Sequence, residues 1–238
     1  MDSNINYCFA SIAVNDKYVD LLVNLIKDIR EYSNVPFFVF TDNEKPFASI
    51  PYVYTKLYEE EIFSYHDKRK VLQYALERYN TAILIDADNK LNKDKVEFPI
   101  RIDLKEGIYP QIIWRHPAEC SIENFLEGKT DRVPYGKEFK QYCDKHNIIT
   151  DGAELIQESF IIFVKKEHPH NQFFNIWDKL ATFCNTKDNE RNQNPLGYGE
   201  GYSIGISAKN SGYKVDCNNP ILKIQDNFIH IAWHPHLQ

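Results

Sequence analysis

Two carboxylates, Asp86 and Asp88, stand one residue apart directly after the apolar run Ala82-Ile83-Leu84-Ile85. At the end of a buried strand, such a pair converges where the chain leaves the sheet. Hard oxygen donors in that arrangement suit Mg²⁺ or Mn²⁺, which keep positions open for phosphate oxygens and water. A cation held there would neutralise a diphosphate and stabilise it as a leaving group. Asp and Asn also favour strand ends as plain turn residues. The apolar strand before the pair, Asn89 after it and a basic helix start upstream favour the metal.

Further residues of the right type are scattered along the chain. Glu200 sits between Gly199 and Gly201, where a carboxylate has backbone room for a ligand; the alternative is a first-turn acid that complements the dipole of the following helix. Glu158 precedes a buried strand and can hold a hydroxyl or simply mark the strand's start. His230 lies in the aromatic tail, either as a metal ligand or as a core side chain. His230 and His234 have the spacing of a helical zinc pair, but Pro235 and the aromatic run argue against a helix. Trp114, His116 and Trp233 offer faces for a sugar ring, with buried packing as the simpler role.

The elements that must position these groups follow from periodicity. Ile5 to Val14 reads as a buried strand, and Lys17 to Tyr32 as a helix with Tyr18, Leu21, Leu22, Leu25, Ile26 and Ile29 on one face. Phe37 to Phe40 is a second strand, ending at the turn cluster Thr41-Asp42-Asn43, and Pro51 to Tyr54 is a shorter one. Lys68 to Tyr79 is helical, with Val71, Leu72, Ala75, Leu76 and Tyr79 on its stripe, and leads into the strand before Asp86. Strands alternating with helices imply parallel pairing in an α/β layered sheet, whose ligands bind at the carboxyl ends of the strands.

In the second half, Gln111 to Arg115 and Phe160 to Val164 read as strands and Phe173 to Phe183 as a helix. Pro117 to Gly136 reads as a long loop and Asn185 to Gly199 as a mobile lid. An apolar pattern resumes at Tyr202, and Tyr213 to Cys217 suggests a strand. No repeat and no composition break separates a second domain, and 238 residues suits one large domain.

Composition narrows the function. The net charge is −6 and no Lys/Arg run exceeds three residues, which argues against duplex nucleic acid as the main ligand. Five irregularly spaced cysteines without Cys-x-x-Cys argue against a disulfide framework or thiolate zinc site, and for a reducing compartment. The acidic, polar start lacks a signal-peptide pattern, and no stretch approaches the roughly 18 apolar residues of a bilayer span. The expectation is a soluble cytoplasmic protein.

The segment from Lys68 to Leu91 (KRKVLQYALERYNTAILIDADNKL) resembles the GT-A glycosyltransferases, in which a helix leads into a strand ending in an Asp-x-Asp motif. Arg69, 17 residues before Asp86, resembles the basic residue that contacts the donor in glycogenin-like enzymes. Ala13-Val14-Asn15-Asp16-Lys17-Tyr18 looks like the loop that cradles nucleobase and ribose, and Val39-Phe40-Thr41-Asp42 like the second strand's ending. The layout is most similar to ABO-type transferases and their bacterial relatives. By position, 151–163 resembles their acceptor loop and strand, and Tyr198 to Tyr202 the segment that carries a catalytic glutamate, although their Trp-His-Asp-Glu pattern is absent around Glu200. His230 resembles the late histidine that completes the metal site of glycogenin-like enzymes.

The resemblance implies one GT-A domain over 1–238, a Rossmann-like mixed sheet flanked by helices. Residues 1–91 would form the nucleotide-sugar half and 92–238 the acceptor half. It implies transfer from a nucleotide-diphosphate sugar, UDP by family habit, to a glycan or other hydroxyl acceptor, with retention. Ala13, Val14, Asn15, Tyr18, Asp42, Arg69 and Asp86 would bind the donor. Asp86, Asp88 and His230 would hold Mn²⁺ or Mg²⁺, with Glu200 and Glu158 as the catalytic carboxylates.

Other classes fit less well. A haloacid-dehalogenase-type phosphatase places Asp-x-Asp after its first strand with Thr or Val at the fourth position, whereas here Asn89-Lys90 follows. A nucleotidyltransferase would want a Gly-rich phosphate loop near the N-terminus, and residues 8–18 contain no glycine. A non-catalytic nucleotide-sugar-binding protein would keep pocket and metal without turnover.

Overall fold

A computed structural model describes residues 5–58, 65–98, 101–110, 122–129, 135–167, 170–190 and 199–230. In chain order the first half contains β1 (Tyr7–Ala13), α1 (Asp16–Arg30), β2 (Phe37–Thr41), β3 (Val53–Leu57), α2 (Lys68–Leu76), β4 (Thr81–Ile85) and β5 (Asn89–Leu91). Then come β6 (Gly107–Pro110), α3 (Ile122–Leu126), α4 (Gly136–Lys145), β7 (Phe160–Val164), α5 (His170–Glu190), α6 (Glu200–Asn210) and β8 (Phe228–His230).

Six strands form one mixed sheet in the order β3-β2-β1-β4-β7-β6. The pairings β1–β2, β1–β4 and β2–β3 are parallel, with α1 and α2 as crossovers, while β4–β7 and β6–β7 are antiparallel. β1, β2, β4 and β7 read as nearly unbroken apolar runs because both of their faces are covered. Phe9, Phe37, Val39, Ile83, Ile85 and Ile162 pack with Leu22 and Ile26 of α1. The alternate positions, Ala10, Phe38, Phe40, Leu84, Ile161 and Phe163, join a second cluster with Leu72 of α2, Trp177 of α5 and Ile204 of α6. A third cluster beside it joins Phe125 of α3, Phe139 and Cys143 of α4, Cys184 of α5 and Tyr202 of α6.

This is the expected α/β architecture, with a Rossmann-like sheet between helical layers. Strand order reverses between β1 and β4: the chain leaves β1 toward β2 on one side, while β4 lies on the other. That reversal marks the ligand-binding crevice of open α/β sheets. β5 and β8 make a separate two-stranded sheet at the site's rim, pairing Asn89 with His230 in register.

Several local expectations change. Residues 117–136 contain a short helix at Ile122–Leu126, so the reading as one long loop fails there. The strand expected at 111–115 lies outside the described residues, and the strand beside β7 is instead Gly107–Pro110. The helix expected over 173–183 runs from His170 to Glu190. It takes up the first residues of the expected lid; 191–198 lie outside the described residues. Residues 213–217 contribute one parallel bridge, Val215 with Ile108, rather than a strand. Among the described residues, no helix is long and apolar enough to cross a membrane.

Candidate functional site

The site begins where β1, β2 and β4 end. Ala13 closes β1, and Asn15 follows with φ 71° and ψ 157°, a backbone region that residues other than glycine rarely adopt. Two hydrogen bonds hold it there. Its side chain accepts from the Tyr18 amide at 3.4 Å, capping α1, and its own amide donates to Asp42 Oδ2 at 2.9 Å. The first loop and the end of β2 are therefore tied together.

The turn after β4 is fixed from three sides. Ser11 of β1 donates to the Ile85 carbonyl at 2.7 Å, and the Asp86 amide donates to the Ser159 carbonyl at 3.1 Å. The Asn89 side-chain amide donates to the Asp86 carbonyl at 3.0 Å. Backbone polar groups are thus satisfied, leaving the Asp86 and Asp88 carboxylates for other partners.

One of those partners is Lys68. It opens α2 on the same stripe as Val71, Leu72 and Ala75, which drives it inward. Its ammonium pairs with Asp86 Oδ1 and reaches Glu200 Oε2 at 3.4 Å. Burial alone would lower the lysine's proton affinity, but Asp86, Glu200 and Glu158 reverse this and hold it above its ordinary value. Glu200 is 1% exposed. Burial pushes its carboxyl well above the usual range, Lys68 pulls it back, and Glu158 and Asp86 push it up again. The Tyr18 hydroxyl lies in the same field, raised by burial and then by Asp88 and Asp86.

Glu158 reaches this cluster through close backbone packing. A Cβ on Gly201 would overlap the Ile156 carbonyl oxygen, and one on Gly205 the Glu154 carbonyl oxygen. These two positions on one face of α6 let segment 154–158 lie directly on the helix, bringing Glu158 beside Glu200. Glu200 is the first residue of α6. It is thus a first-turn acid, as its simpler reading held, and it is also a member of the cluster.

Arg69 faces elsewhere. Its guanidinium pairs with Asp67 Oδ1 at 2.7 Å and with Asp178 of α5, and donates to the His66 carbonyl at 3.2 Å. The basic group on Asp86 is its neighbour Lys68. Behind them, the Trp177 indole donates to His66 Nδ1 at 3.2 Å, so the imidazole is a neutral acceptor at that nitrogen. Burial, with Arg69 and Lys68, pulls its pKa down to about 3.

The crevice therefore gathers Ala13, Val14, Asn15, Tyr18 and Asp42 at the first two strand ends. Asp86, Glu158 and Glu200 gather around Lys68, and Asp88 lies with Asp86 in the field of Tyr18. His230 stands opposite Asn89 on the backbone; its side chain, like Trp114, His116, Trp233 and His234, lies outside the described residues. Among the described residues, no group of three or more His, Cys, Asp or Glu is placed to hold a metal ion. Asp86 and Asp88 are two carboxylates at one strand end, the donor type and number with which a hard cation is held together with substrate phosphates. Lys68 is the residue that sequence reasoning missed. Its signal was shared with its neighbour, since counting back from Val71, Leu72 and Leu76 puts both 68 and 69 on the buried stripe.

Neither a protein-family model nor a curated protein sequence matches the chain.

Proposed function

We propose that the protein is a glycosyltransferase that moves a sugar from a nucleotide-diphosphate donor, UDP by preference, to a hydroxyl acceptor such as a glycan. One observation carries this reading: Glu200, 132 residues from Lys68 in the chain, is brought with Lys68 to the carboxylate pair at the end of β4. An exposed strand-end turn needs neither a buried ammonium nor a second, buried acid. A site that must manage a diphosphate and a developing positive charge at a sugar needs both.

Within this reading the loop from Ala13 to Tyr18, with Asp42, receives the nucleoside. Asp86 and Asp88, with His230, would hold Mn²⁺ or Mg²⁺, which when bound supplies charge neutralisation at the diphosphate. Lys68 adds positive charge beside it. Of the two candidate acids, Glu158 is half-buried and Glu200 fully buried. That favours Glu158 for contact with the sugar and gives Glu200 the task of holding Lys68. A carboxylate at the anomeric centre stabilises charge that develops only in the transition state, which suits transfer with retention.

The nucleotide preference is tested by a thermal-shift panel of UDP, GDP, CMP and dTDP with Mn²⁺. Stabilisation by UDP that Asp86→Asn removes supports the reading; an unchanged melting temperature with all four opposes it. A binding protein without turnover would pass this test and release no nucleotide from a sugar donor.

A further inference from the structure

We propose that Lys68 is a built-in competitor of the divalent ion for Asp86, so that the ion binds weakly to the free protein and tightly only together with the diphosphate. This rests on the donor-site reading above and adds an order of binding to it. Lys68 is a point charge seated inside the carboxylate cluster, with its side chain 7% exposed, paired to Asp86 and 3.4 Å from Glu200 Oε2. Because α2 starts at Lys68, and the next residue is clamped by Asp67 and Asp178, the ammonium cannot leave by moving the helix end.

A divalent ion arriving at Asp86 alone meets this like charge across a few ångströms in a partly dry site. A diphosphate brings the negative charge that lets both cations stay. Lys68 also has an alternative seat. Glu200 Oε1 is buried without a hydrogen-bond partner among the described residues, so the ammonium can lean from Asp86 onto Glu200 as the ion takes its place. Metal and nucleotide then favour each other by one coupling energy, reciprocal by thermodynamic necessity.

The test is Mn²⁺ titration of the full chain, followed by the electron paramagnetic resonance of the free ion, with and without UDP. Lys68→Met is compared with wild type. Lys93→Met, which removes a surface lysine paired with Asp28 and Glu31, serves as control. Wild type and the control should bind Mn²⁺ weakly alone and at least tenfold more tightly with UDP. Lys68→Met should bind Mn²⁺ alone at least tenfold more tightly than wild type, with a smaller further gain from UDP than wild type shows. Should Lys68→Met fail to fold, Lys68→Met/Glu200→Gln against Glu200→Gln carries the same comparison without an orphaned buried charge.

No tightening in the Lys68 variant, including no Mn²⁺ binding by either protein, overturns the proposal. If wild type binds UDP with Mn²⁺ and the variant gains nothing, competition falls while the donor-site reading stands. If the variant gains Mn²⁺ affinity yet no protein binds UDP, the donor-site reading falls and competition at Asp86 stands.

Discussion

Replacing Lys68 by Met strips the cation from a cluster in which Glu200 is 1% exposed and Asp86 17% exposed at its side chain. At the 3.4 Å separation of the Lys68 and Glu200 charged atoms, an effective dielectric near 20 gives an attraction of about 5 kcal/mol before desolvation is counted. Desolvation opposes it, so the coupling of the pair should be about 1–3 kcal/mol. Lys68→Met should cost about 3–5 kcal/mol, because it leaves a buried carboxylate without its cation. Glu200→Gln should cost less, since Lys68 keeps Asp86. The double variant should then fall short of the sum of the two by about 1–3 kcal/mol. Urea unfolding of all four proteins closes the cycle, provided the m-values agree. Additivity within about 0.5 kcal/mol would show that the two side chains do not act on each other, and would remove the physical basis of the cluster.

Asp88→Asn should abolish sugar transfer at a stability cost within about 0.5 kcal/mol, since a half-buried strand-end carboxylate supports no core; full activity of the wild type in EDTA contradicts the metal's role. His66, held near pKa 3 when folded against about 6.5 unfolded, binds fewer protons in the native state between these values. Stability should therefore be complete above pH 6.5 and fall with pH below it, by about 2 kcal/mol between pH 7 and 5 from this group. Urea titrations at the two pH values should show His66→Asn losing less than wild type by that amount. Gly205→Ala should destabilise by at least about 2 kcal/mol, because the new methyl overlaps the Glu154 carbonyl; an unchanged melting temperature would mean that segment 154–158 does not rest on α6.

The parallel half of the sheet was legible because Phe9, Phe37 and Ile83 lie in unbroken apolar runs separated by one-sided helices. The C-terminal half was less so. β6 reads Gly-Ile-Tyr-Pro, two strand formers between two residues that signal a turn, and it is tolerated as a strand because it is an edge. α4 carries Lys, Glu, Gln and Asp on most faces, and Phe139 and Cys143, four apart, anchor it with help from the partly buried Tyr142. The acids were found from their chemistry, but their common cation was not. Lys68 and Arg69 are adjacent in sequence, and a distance counted back from Asp86 does not choose between two neighbours that a helix turns about 100° apart. The apolar stripe does not choose either, since both are buried; only their tertiary partners, Asp86 for one and Asp178 for the other, separate them. Local patterns do not reveal the contact of Glu158 with α6 either, because it rests on carbonyls that lie against glycines.

The central claim is that this carboxylate–ammonium cluster handles a nucleotide-sugar diphosphate. Its most direct test is the release of UDP from a panel of UDP-sugars by the purified protein with Mn²⁺, with wild type and Asp86→Asn side by side. Wild type should release UDP in a metal-dependent way that rises with a hydroxyl acceptor, and the variant should release none. Release no faster than the protein-free blank across the panel, or equal release by Asp86→Asn, would contradict that claim.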